Sequence, residues 1–179
     1  AVGYSRGAMM TLAALRDGAG FNAVALVGLP ADFRAAAAAL AEEKGHEGKH
    51  AVNLSRGTVE AFLTHSVRRD LREKLLDAFL LRGEKGGDSD NRGIIAETLA
   101  LRAERARLLG YATYADYKLD DTMAKTPAAV RDLLDRVWSA GRRRALGERE
   151  RLQEMIRAEG ANFALAPHDW RYYSDKLRR

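Results

Sequence analysis

Cysteine is absent from the 179 residues, and proline is represented only three times. Without thiols there can be no disulfide framework, no thiolate zinc finger, no iron–sulfur cluster and no cysteine nucleophile. A metal site would have to be built from His, Asp or Glu. Long apolar runs are missing too. The longest, around Ala23 to Leu29, falls far short of the ~20 residues that a bilayer-spanning helix requires. There is also no basic-then-apolar leader at the start, which reads Ala1-Val2-Gly3-Tyr4-Ser5-Arg6 without an initiator Met. The expectation is a soluble, intracellular, cytoplasmic protein with a processed or truncated first residue and no membrane partner.

The composition that is present is that of a globular chain: 46% hydrophobic, 31% charged, with 30 basic against 25 acidic residues. A domain of this length buries roughly two thirds of its unfolded surface without covalent staples. The excess of positive charge is concentrated at Arg142, Arg143 and Arg144, but Asp132, Asp135, Glu148, Glu150 and Glu154 are interleaved with it. That pattern fits a solvated helix laced with ion pairs rather than a stripe that tracks phosphates, so nucleic acid is not an expected partner.

Periodicity predicts a mainly α protein, a multi-helix bundle with a short hairpin or extended segment near residues 46–57 and a small βα-like N-terminal piece. A helix is expected from Pro30 through the alanine-rich run to a stop near Gly45. From Thr58 one long helix is expected, with Val59, Phe62, Leu63, Val67, Leu71, Leu75 and Phe79 on its apolar face. The glycine-rich stretch Gly83 to Asn91 reads as a loop. A third helix should bury Ile94, Ile95, Leu99, Leu101, Leu108 and Leu109 and end at Gly110. Thr113 with Asp116 can open a short helix, and Thr126-Pro127 opens a long one. The core face of that long helix should carry Val130, Leu133, Leu134, Val137, Leu146, Leu152 and Ile156. Another helix starts after Asp169.

Two short motifs carry chemistry. Gly3-Tyr4-Ser5-Arg6-Gly7 matches GxSxG, a sharp strand-to-helix turn that exposes a serine nucleophile; Asp32 and His46 or His50 follow in triad order. His46-Glu47-Gly48-Lys49-His50 matches HExxH. On a helix this spacing puts two imidazoles on one face as zinc ligands, with the intervening carboxylate as general base and Glu73 or His65 as a third ligand. Gly45 and Gly48 each disfavour a helix by about 1 kcal/mol relative to Ala, so a turn with two surface histidines is the simpler expectation.

A longer series of words runs through the rest of the chain: Arg68-Arg69-Asp70-Leu71-Arg72-Glu73-Lys74, Arg82-Gly83, Asp90-Asn91, Leu101 to Tyr111, Met123-Ala124-Lys125-Thr126-Pro127, Val137-Trp138 and Asp169-Trp170-Arg171-Tyr172-Tyr173. In order and approximate spacing it resembles the thimet-oligopeptidase and peptidyl-dipeptidase family of zinc metallopeptidases over residues 29–179. Residues 1–28 resemble the nucleophile-elbow segment of α/β-hydrolases of the prolyl-oligopeptidase type, giving two expected segments, 1–28 and 29–179. The family resemblance implies a helical wall from the N-terminal part of a larger enzyme that encloses peptide substrates, with the zinc-binding residues downstream of the matched region. The implied reading is a helical part of a peptide-hydrolysing lineage, non-catalytic by itself. Two alternatives stay open: a minimal zinc metallohydrolase with ligands His46, His50 and Glu73 and base Glu47, and a serine esterase or peptidase built on Ser5. A helical surface left bare by the missing lobe predicts a homo-oligomer formed through exposed helical faces.

Overall fold

The computed structural model describes residues 29–179; the βα-like piece, the GxSxG motif with Ser5, and the segment 1–28 as a whole lie outside the described residues. Seven α-helices occur among the described residues, with no strand element: α1 Ala31–Glu43, α2 Arg56–His65, α3 Arg69–Leu80, α4 Arg92–Leu108, α5 Tyr114–Leu119, α6 Pro127–Ala158 and α7 Trp170–Arg178. The chain is mainly α, as its periodicity requires. No helix among the described residues is long and apolar enough to cross a membrane.

The chain divides into two units, one containing residues 29–85 and 152–179, the other residues 86–151. In the first unit α1, α2 and α3 enclose a core of Leu29, Ala37, Val52, Val59, Phe62, Leu63 and Leu75, with Phe33, Leu54, Leu71, Leu76 and Phe79 against it. A second cluster joins the end of α6 to α7, where Leu152, Ile156 and Tyr173 are buried beside Met155, Phe163, Leu165, Trp170 and Tyr172. Leu152 and Ile156 thus occupy the core positions that helical spacing assigns them.

The expected single helix after Thr58 is two helices. Its apolar period continues through the break, which is why spacing alone conceals it. Ser55 caps α2 by accepting from the Thr58 N–H at 3.3 Å, and the helix stops at Ser66, whose backbone turns extended. Ser66 is completely buried. Its hydroxyl accepts from the Arg68 N–H at 3.4 Å and its carbonyl accepts from Arg72 Nη1 at 2.7 Å, so the buried carbonyl at the break is satisfied by a side chain. Val67, placed on the apolar face by periodicity, sits at the break and is exposed.

In the second unit α4 and α5 are joined at an Arg–Tyr layer. Thr113 and Asp116 form a reciprocal capping box at the start of α5. Arg105 donates from Nη2 to the Tyr117 hydroxyl at 3.1 Å and lies over the Tyr117 ring, while Arg102 lies over Tyr114. Thr126 and Pro127 do open α6, the Ala129 N–H donating to the Thr126 hydroxyl at 3.2 Å. Burial departs from expectation here. Ile94, Ile95, Leu99, Leu101, Leu108 and Leu109 are all exposed, as are Leu133, Leu134 and Val137; in α4 only Ala106 is buried. The amphipathic period is present, but nothing among the described residues covers the face it defines.

Candidate functional site

The HEGKH segment is a turn. Gly45 and Gly48 both take positive φ, 74° and 71°, the left-handed region in which a β-carbon is strained. His46 and Glu47 are exposed, and His50 is half-buried at the end of the turn. Without a helix the i, i+4 relation between His46 and His50 no longer stacks their rings on one face. Glu73 is exposed on α3 and His65 closes α2. Among the described residues no group of three or more His, Asp or Glu side chains is disposed to hold a metal ion. The ligand set His46, His50 and Glu73 therefore does not fit a zinc ion in this arrangement. No step through zinc follows from it, and Glu47 has no metal-bound water to activate.

The buried polar chemistry lies elsewhere, where α3 meets the 3₁₀ turn Pro167–Asp169 that precedes α7. Helical spacing presents Arg69 and Arg72 one turn apart on α3. The chain returns about a hundred residues later with His168 and Asp169, and the 3₁₀ turn directs the Asp169 carboxylate at both guanidinium groups. Asp169 is fully buried and Arg72 nearly so, at 2% exposure.

Arg72 uses all three of its nitrogens: Nη2 donates to Asp169 Oδ1 at 2.7 Å, Nε to the His168 carbonyl at 3.1 Å, and Nη1 to the Ser66 carbonyl. Arg69 Nε lies 3.1 Å from both Asp169 oxygens, with Nη2 3.0 Å from Oδ2. The Ala166 N–H donates to Oδ2 at 3.1 Å. The guanidinium of Arg72 lies 4.3 Å from the Tyr172 ring centroid and that of Arg69 4.4 Å from Phe163, so each cation is covered by an aromatic face as well as paired.

Burial by itself would push the Asp169 carboxyl upward, but hydrogen bonds from Arg69 and Arg72 outweigh it and hold the group below the ordinary carboxylate range. Its acceptor positions are filled by guanidinium and backbone donors. A carboxylate so engaged is a poor general base and has no free lone pair to give a metal. Its chemistry is to fasten helices. His168 is buried beside it, with Nε2 3.6 Å from Asp169 Oδ2, beyond hydrogen-bond distance.

From the series of words Arg72, Glu104 and Arg105 are expected to hold helices together through ion pairs; Arg72 does so with Asp169, a partner that the sequence does not single out. A buried Arg on a helix face is the one signal that could have pointed to the pair, since such a residue must find an anion. Of the quoted aromatics, Trp170 packs into the second core cluster and Tyr111 stacks edge-on with Tyr117 and donates to Asp120 at 2.8 Å. Trp138 is instead exposed on α6, and Glu104 is exposed on α4.

The model of peptidase family M3 matches residues 62–179, a span that contains Arg69, Arg72, His168 and Asp169. The chain is 36% identical over 154 residues to the dipeptidyl carboxypeptidase of Escherichia coli, an alignment covering 86% of this chain and 23% of that protein. It is 36% identical over 165 residues to oligopeptidase A of Haemophilus influenzae, covering 88% of this chain and 24% of the relative. An organellar oligopeptidase A of Arabidopsis thaliana is 33% identical over 159 residues, covering 84% and 20%. The chain spans about a quarter of the length of the curated relatives it matches.

Proposed function

The chain belongs to peptidase family M3, and from that membership we propose that these residues serve peptide hydrolysis as a helical wall and do not themselves carry out bond cleavage. In a complete peptidase of this lineage such a wall would flank the path of the peptide substrate, while zinc and the groups that activate water would be supplied by the part of the relatives' length that the alignments do not reach.

One observation carries the reading: the buried ionic cluster of the matched region spends its hydrogen-bonding capacity on the chain itself. Asp169 is saturated by Arg69, Arg72 and the Ala166 N–H, and the three Arg72 nitrogens are taken by Asp169, His168 and Ser66. What remains, the exposed His46, Glu47 and Glu73 and the half-buried His50, lacks a geometry that holds zinc.

The test is metal content and peptide turnover of the purified chain, prepared without added zinc. The expected result is zinc well below one ion per chain, and no chelator-sensitive cleavage of a quenched fluorescent peptide. One tightly held zinc per chain, with cleavage abolished by Glu47→Gln while zinc stays bound, would overturn the proposal and restore the metallohydrolase reading. Cleavage blocked by a serine-directed phosphonate and lost in Ser5→Ala would assign activity to the N-terminal segment.

A further inference from the structure

The two segments of the first unit each have a core of their own. One cluster draws all its residues from 29–79 and the other draws all of its residues from 152–173. The later segment is also braced from within. Gln153 donates from Nε2 to the Phe163 carbonyl at 2.9 Å and accepts from the Leu165 N–H at 2.8 Å, which fixes the return from α6 to the 3₁₀ turn. Lys176 on α7 pairs with Glu159, just beyond α6, at 2.7 Å. Between the segments stands a layer of charges and rings: Asp169 meets Arg69 and Arg72, those cations lie over Phe163 and Tyr172, and Arg171 Nη2 donates to Glu60 at 2.9 Å. Covalent continuity between them runs through residues 86–151, which leave the first unit after Lys85 and rejoin it at Leu152.

We infer that the surface of α2 and α3 is a docking site for residues 152–179 and holds them without the covalent connection. Its specificity lies in Arg69 and Arg72, which select a segment that presents a carboxylate flanked in sequence by two aromatic side chains, here Phe163 and Tyr172. Two observations argue for this. Each piece is organised by its own core, so little further ordering accompanies their association. The contact is also demanding: an uncharged residue at the place of Asp169 would leave the buried Arg72 guanidinium without its anion, and burial without a partner is what a charge tolerates least. Arg72 already spends its other nitrogens on the His168 and Ser66 carbonyls, so it cannot swing out to water without breaking both. The ion pair thus chooses the partner, and the aromatic faces over the guanidinium groups complete the seal.

The experiment places the recognition sequence of a specific endoprotease between Gly86 and Gly87 of the full chain. Both glycines are exposed with positive φ, and a β-carbon on either would meet no atom within 4 Å, so the insertion falls where a chain tolerates one. After cutting, the two pieces are expected to elute together as a one-to-one pair with the far-UV circular dichroism of the uncut chain. At ordinary domain stability the pair should persist to about micromolar concentration. Asp169→Asn should weaken the cut pair by about a hundredfold or more. A second variant keeps the test decisive if Asp169→Asn loses its fold before cutting. The apolar exchange Arg72→Met with Asp169→Leu should stay paired when cut, and its pieces mixed with native ones should re-sort into matched pairs. Pieces that part on cutting, a cut Asp169→Asn pair as tight as the native one, or random re-pairing in the mixture would each overturn the inference.

Discussion

The Arg72–Asp169 pair is the residue on which the first unit depends, because both charges are out of water and each is the other's principal partner. Removing one member of such a pair leaves the other buried without compensation, at a cost of about 3–5 kcal/mol. Asp169→Asn should therefore lower the unfolding free energy extracted from urea titration by about that amount. Exchange of both residues for apolar ones, Arg72→Met with Asp169→Leu, should recover a large part of the loss, since the desolvation of both ions is then avoided. Acid lability follows from the same group. The Asp169 carboxyl is held below its ordinary value, so its stabilising contribution is complete above the unfolded pKa of about 3.9 and is lost as pH falls from there through the folded value. Stability of the native protein should thus fall below about pH 4 more steeply than that of Asp169→Asn. Equal slopes in urea unfolding measured across that range would show that Asp169 does not govern the transition.

At the scale of the helices, what could be read in advance was whatever a local signal dictates. Thr113 with Asp116, Thr126-Pro127, and Gly45 and Gly48 each act within a turn of themselves, and each does in the structure what its chemistry requires. Thr113→Ala should cost about 1 kcal/mol by unbonding the Asp116 N–H, visible as faster amide exchange confined to α5. The break between α2 and α3 escaped prediction because its cause is remote: Ser66 ends the helix with its carbonyl satisfied by Arg72, and Val67 supplies an apolar residue where the period asks for one. Burial in α4 and α6 was misjudged for a different reason. Periodicity identifies an apolar face without identifying what covers it, so Leu152 and Ile156 are buried while Leu133 and Leu134, on the same helix, are not. The HExxH match likewise fixed residue types but not the helix that zinc geometry needs. Substitution should separate the two halves of α6: Ile156→Ala should cost about 2–5 kcal/mol, and Leu133→Ala should leave the urea midpoint at high dilution almost unchanged.

Over the whole molecule, burial and sequence connectivity divide differently. Both core clusters lie in the first unit, whose two segments are stitched by Asp169 to Arg69 and Arg72 and by Arg171 to Glu60. The second unit, residues 86–151, is bounded by α4 and the greater part of α6 and has few buried side chains to hold it. Local stability follows buried apolar contact, so the units should open with different free energies. In hydrogen exchange, amides of α2, α3 and the end of α6 should open near the global unfolding free energy and should be indifferent to protein concentration. Amides of residues 131–145 should exchange quickly in dilute solution, because a helix with an uncovered apolar face has only its own marginal propensity. Protection across residues 131–145 equal to that of α2 and α3 would show that buried apolar contact does not set the order of opening.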